Sequence, residues 1–209
     1  MNRWLGIALV CTLLVGPLAV REAAAGAPTE QLRTQVDRVL KLLDDSTLKA
    51  PDKARDRRTA VRKVADEIFD FGETAKRSLG RHWAARTPEE REEFVKLFGD
   101  LLERSYISKI ELYGGEKIQY VADKVDGETA VVQSKLLTKG GGEVPIEYRM
   151  HKKGERWLVY DVVIEGVSLV ANYRTQFNKI IQTSSYQDLV KKMKTRQEEL
   201  GASASARLG

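Results

Sequence analysis

Residues 156–174 read RWLVYDVVIEGVSLVANYR. A half-buried strand alternates apolar and polar residues, because successive side chains leave opposite faces of the sheet. From Trp157 to Ile164 both sets are apolar apart from Asp161, so this strand must touch something on each side. Gly166 ends it. Ser168 then stands where a helix needs its N-cap, and Leu169, Tyr173, Phe177, Ile180 and Ile181 follow at helical spacing.

Working outward toward the N-terminus, period-2 segments cover about 117–123, 128–138 and 143–152 ahead of the strand at 156–165. Asp126-Gly127, Gly140-Gly141-Gly142 and Lys153-Gly154 separate them as hairpin connections. In the third segment Val144, Ile146, Tyr148 and Met150 point one way while Glu147, Arg149 and His151 point the other, so one sheet face is internal. Four consecutive strands joined by short turns predict an antiparallel meander.

Both flanks of the meander are helical. A helix over 29–47, with Thr29 as N-cap, carries Leu32, Val36, Val39, Leu40 and Leu43 on one stripe; Pro51 breaks the chain. The next helix, about 53–69, aligns Val61, Val64, Ala65, Ile68 and Phe69, and its KARDRR face is a solvated charged surface. A short helix over 72–80, bounded by Gly72 and Gly80, brings Leu79 and Trp83 inward. Thr87-Pro88-Glu89-Glu90 has the form of a capping box and opens a long helix to about Tyr113, closed by Gly114-Gly115. It carries Phe94, Phe98, Leu101, Leu102 and Tyr106. Beyond the helix at 169, Ser185 starts a last one. The expected fold class is α+β: helices packed over one face of a curved four-stranded antiparallel meander, cone-like and NTF2-like in character.

The chain opens MNRWLGIALVCTLLVGPLAVREAAAGAP, with one early cation, an apolar run and a small-residue site at Ala23-Ala24-Ala25. That pattern predicts a secretory signal peptide over 1–25, cleaved after Ala25. An uncleaved membrane anchor is the rival, for which the apolar run is slightly short. The single cysteine, Cys11, leaves with the leader, so the remaining chain has neither disulfide nor thiolate and relies on its core. About 184 of the 209 residues remain, enough for one domain. A single binding domain over 26–200 and a flexible tail over 201–209 are expected. Charged residues make up 31% of the chain with both signs interspersed, and no basic patch interleaved with aromatics occurs, so no nucleic-acid partner is expected.

Chemistry is sparse. His82 and His151 lie far apart and do not form a metal pair. No nucleophile elbow is present, the glycine clusters mark turns and not phosphate loops, and Ser168 reads as a cap. Asp161 is the one carboxylate in an apolar setting, which leaves open an isomerase-like enzyme with Asp161 as base. A periplasmic scaffold or chaperone that associates through an apolar strand face is a third class. No catalytic or metal residues are assigned. The chain's surplus is instead aromatic and apolar area where helices meet the sheet, and composition alone does not tell a filled core from a hollow one.

Four segments, FDFGETAKRSLGRHW (69–83), TPEEREEFVKLFGDLLERSY (87–106), GERWLVYDVVIEGVSLVANYRTQF (154–177) and the spacing between them, resemble the MlaC family of periplasmic phospholipid-binding proteins. These belong to the lipid-asymmetry pathway and are also called toluene-tolerance or ABC-transporter auxiliary proteins. The resemblance spans about residues 30–195. It implies a monomeric periplasmic carrier, not an enzyme, with no cofactor beyond phospholipid as cargo. Its partners would be an inner-membrane MCE-domain ABC transporter complex and an outer-membrane lipoprotein complex. The acyl chains would lie between helices and sheet, and Leu158, Tyr160, Val162 and Ile164 are the better face of their strand for that lining. Trp157, Val159 and Val163 around Asp161 would be covered by a terminal helix or offered to a partner. The lining residues so implied are Phe71, Leu79, Phe98, Leu102, Tyr106, Val132, Ile146, Tyr148, Tyr160, Val162, Ile164, Leu169, Tyr173 and Phe177. Arg174, in the N-Y-R block, is expected in a helix-holding salt bridge in preference to a phosphate contact.

Overall fold

The computed structural model describes residues 26–110 and 113–205, without the side chains of 51, 107–110 and 199–205. The expected leader lies outside the described residues. Helix α1 (Ala27–Asp44) starts the fold. Its N-cap is Gly26, three residues ahead of the expected cap, and Thr29 is a buried residue within the first turn instead. Pro28 explains the shift: the first turn of a helix has no N–H bonds for it to lose. A short helix, α2 (Ser46–Lys49), is capped by Asp45, which accepts from Thr47 N at 2.8 Å, and a 3-10 turn at Pro51–Lys53 leads into α3 (Ala54–Ile68).

Helix α4 (Phe71–Leu79) begins one residue earlier than the glycine-bounded reading, because Asp70 accepts from Glu73 N at 2.9 Å and caps it. Gly72 lies within its first turn. The capping box ahead of α5 (Pro88–Ile110) is formed as read: Thr87 Oγ1 accepts from Glu90 N at 3.2 Å, and Glu90 Oε2 accepts from Thr87 N at 3.0 Å. Loss of this cap in Thr87→Ala should cost about 1 kcal/mol and lower Tm by about 2–4 °C, read by thermal melting. The helix is assigned through Ile110, short of Tyr113; residues 111 and 112 lie outside the described residues.

Strands β1 (Lys117–Asp126), β2 (Thr129–Leu137), β3 (Glu143–Lys153) and β4 (Arg156–Ile164) form the antiparallel meander, and a two-residue β5 (Val167–Ser168) adds a fifth in the order β1-β2-β3-β4-β5. The β4–β5 turn places both Glu165 (φ +50°) and Gly166 (φ +80°) in the left-handed region, the pairing that matches hairpin twist. Helix α6 (Leu169–Thr183) follows at once, capped by Ser168 Oγ accepting from Ala171 N at 3.0 Å. Helix α7 (Tyr186–Ser205) is capped by Ser185 and runs past the expected domain boundary at 200.

The covering of both faces of β4 has two causes. A bulge at Tyr160 shifts its register: Met150 pairs with Val159, but Arg149 pairs with Asp161. Cross-strand partners share a face, so Trp157 and Val159 lie with Val162 and Ile164, while Leu158, Asp161 and Val163 take the opposite face. The strict alternation expected for 156–165 is thereby corrected, since an extra residue in one strand flips the parity beyond it. Helices α1 and α3 pack on each other and on the sheet, while α4 and α6 wrap the outer edge of β4. There Asp70 N donates to Val159 O at 2.9 Å and Thr74 Oγ1 to Tyr160 O at 3.0 Å. Among the described residues no helix is long and apolar enough to cross a membrane.

Candidate functional site: an apolar slot between two packed clusters

The buried apolar residues separate into two groups. One is helical, built from α4, α5, α6 and α7 around Phe94, Phe98 and Phe177, with Ala75, Leu79, Leu97, Leu102, Tyr186 and Leu189. Phe94 and Phe98 stack at 5.9 Å, and Phe177 stands edge-on to both at 5.6 and 5.2 Å. These spacings are those of favourable aromatic pairs, so this group is filled by its own rings. The other group joins Leu32 of α1 and Val64 and Ile68 of α3 to Ala130, Val132, Met150, Trp157 and Val159 of the sheet.

Each group is ringed by partly buried apolar residues. Phe71, Leu169, Tyr173 and Tyr106 flank the helical cluster, and Tyr148 and Val162 flank the sheet cluster with Ile146 next to Tyr148 on the same face. The rings of Phe69 and Phe71, 5.7 Å apart, straddle the boundary, one packing on each group. A polar clasp spans the same gap: Arg62 of α3 pairs with Asp100 of α5 at 3.0 Å and with Glu103, and Gln197 of α7 donates to Asp100 at 2.6 Å. Burial raises the pKa of Tyr106, Tyr148 and Tyr173, and for Tyr106 the neighbouring Tyr173 adds to it. These hydroxyls therefore stay neutral at physiological pH.

The expected lining residues divide accordingly. Leu79, Phe98, Leu102 and Phe177 are spent within the helical core, and Val132 within the sheet core. Phe71, Tyr106, Ile146, Tyr148, Val162, Leu169 and Tyr173 are partly buried. Tyr160, at the bulge, is turned to polar company: the Arg77 guanidinium lies 3.9 Å from its ring centroid and the His151 ring 6.0 Å away. Ile164 is 38% exposed at the end of β4, opposite Ile146. A hollow of about 340 Å³ lies at the start of α1, with Glu30, Gln35, Glu67 and Arg156 in its wall beside Leu32, Ile68, Met150 and Trp157 of the sheet cluster.

Asp161 has a structural task. Buried to 3% exposure, it accepts from Val170 N (3.0 Å) and Ser168 Oγ (2.7 Å), and pairs with Arg149 at 3.2 Å. Its lone pairs hold the β4–α6 corner. Among the described residues Arg174 forms no salt bridge; its Nε donates to Arg77 O at 2.8 Å, satisfying a carbonyl near the end of α4. His82 meets Asn178 (3.0 Å) and His151 stands beside Asp70. The Arg62 clasp escaped sequence reading because its members lie on ordinary charged helix faces, 38 or more positions apart.

The family model described as MlaC protein matches residues 33–195. The chain belongs to the MlaC family. It is 28% identical over 141 residues to the Haemophilus influenzae intermembrane phospholipid transport system binding protein MlaC, covering 65% of this chain and 66% of that protein. It is 28% identical over 125 residues to the toluene tolerance protein ttg2D of Pseudomonas putida, covering 59% and 58%. The matched regions thus span 66% and 58% of the length of these relatives, less than two thirds of each. Among solved structures, the phospholipid-binding protein from Ralstonia solanacearum in complex with a phospholipid matches with a TM-score of 0.74 and 26% identity, over 84% of this chain and 99% of that one.

Proposed function

We propose that the protein is a periplasmic phospholipid carrier that takes acyl chains into the seam between the helical and sheet clusters and leaves the head group outside. The observation that carries this reading is that apolar residues around both clusters, Phe71, Leu169 and Tyr173 on one and Tyr148 and Val162 on the other, are only partly buried, with Phe69 and Phe71 linking the two. The family membership, the names of the relatives and the phospholipid held by the Ralstonia protein support the choice of cargo.

The physical need for such a carrier is large. At about 0.8 kcal/mol per methylene, two chains of roughly 30 methylenes cost about 24 kcal/mol to expose to water. A carrier must replace most of that contact without exceeding the affinity of the destination membrane. Handover between an outer-membrane lipoprotein complex and an inner-membrane MCE-domain ABC transporter would then require a docked partner that favours the open form. The Arg62 clasp is the bond such a partner would loosen. No step calls for an ionised nucleophile or base.

Protein purified from the periplasm should yield close to one phospholipid per chain by mass spectrometry of an organic extract. Val162→Trp, which adds a large ring to the seam from the sheet side, should lower that content about tenfold or more while leaving the thermal melt nearly unchanged. A wild-type extract free of phospholipid, or a Val162→Trp protein as fully loaded as wild type, would overturn the reading.

A further inference from the structure

The start of α1 is held down: Pro28 and Thr29 are buried, and Gly26 O accepts from Glu30 N at 3.1 Å. Against the α-carbon of Gly26 lies the carboxylate of Asp123. A Cβ on Gly26 would stand 3.1 Å from Asp123 Cγ, 3.3 Å from Oδ1 and closer still to Oδ2. Tetrahedral geometry at the α-carbon therefore puts the Gly26 nitrogen within about 5 Å of Oδ2. Asp123 pairs with Val132 in β2, which turns its side chain to the sheet face under α1. Its Oδ2 is buried and has no hydrogen-bond partner. A carboxylate oxygen in that state is costly unless a cation or donor meets it.

We propose that the precursor is cut between Ala25 and Gly26 and that the α-ammonium released on Gly26 is the missing partner of Asp123, pinning α1 to β1. The cut is an amide hydrolysis by the signal peptidase of the export machinery. Water supplies hydroxyl to the Ala25 carbonyl carbon and a proton to the Gly26 nitrogen, which takes up a second proton at neutral pH. Two registers of small residues are available, Ala23-Ala24-Ala25 and Ala25-Gly26-Ala27, and the second would start the chain at Pro28 and remove the cap of α1. Only the first leaves a cation opposite Asp123. A side chain on Gly26 would push the Asp123 carboxylate away from the chain start. A bare ammonium at a helix N-terminus opposes the helix dipole, and the Asp123 charge offsets it. The inference rests on reading residues 1–25 as a leader and is independent of the cargo.

Two measurements test it without reference to lipid. Intact mass and N-terminal sequencing of the full chain exported by a bacterial host should give a mature protein beginning at Gly26; a start at Ala25, Pro28 or Met1 overturns the proposal. In a thermal-melt cycle, one extra alanine ahead of Gly26 should lower Tm by about 2–4 °C when Asp123 is present and leave it unchanged in Asp123→Asn. An equal shift in both backgrounds, or none in either, overturns the ion pair.

Discussion

Phe98→Ala should remove about 3–5 kcal/mol of stability, a large part of the roughly 5–15 kcal/mol available to a domain of this kind. Phe98 is 1% exposed and touches Phe94, Tyr173 and Phe177 at 5.9, 4.9 and 5.2 Å. Truncation loses transfer energy and opens a cavity among rings that are fixed by one another and cannot collapse into it. Urea unfolding would show the loss as a lower midpoint at unchanged m. Val162→Ala on the half-buried side of the seam should cost about 1 kcal/mol or less, because part of its area was never removed from water. Equal losses at the two positions would mean that the helical cluster is not a separately filled core, and the seam would lose its physical basis.

Asp161→Leu is the second large effect, about 2–4 kcal/mol and a fall in Tm of about 6–12 °C. The leucine fills the space but strands Val170 N–H, Ser168 Oγ and the Arg149 guanidinium, which met at one carboxylate. Arg149 is 41% exposed and recovers water; the buried Val170 amide does not, so most of the loss belongs to the α6 corner. Replacing Arg149 as well, by methionine, should restore little. Phospholipid per folded molecule should stay near the wild-type value in Asp161→Leu and in Asp161→Asn alike, since Asp161 lies outside the seam. A fold that tolerates Asp161→Leu at less than 1 kcal/mol would show that the corner is held by something else.

The element order was legible because its signals are local. Thr87 and Glu90 satisfy each other within one turn, Ser168 caps the helix it begins, and the meander follows from turn glycines between period-2 segments. Two starts were missed: that of α1, where Pro28 sits within the first turn, and that of α4, which Asp70 caps ahead of Gly72. The lining was less legible. Periodicity places Phe98 and Tyr173 on inward stripes of their helices, yet Phe98 is closed within the core while Tyr173 is only partly buried.

By itself the sequence determined the class of fold, the order of helices and strands, the principal caps and the kinship of the chain, all of which depend on residue spacing along one segment at a time. The tertiary structure alone decided that Tyr160 bulges and turns the parity of β4, that Arg62 reaches across to α5, and that Asp161 serves the α6 corner. Those outcomes depend on distances between residues remote in sequence, where packing and the matching of buried polar groups choose among arrangements that are locally equivalent.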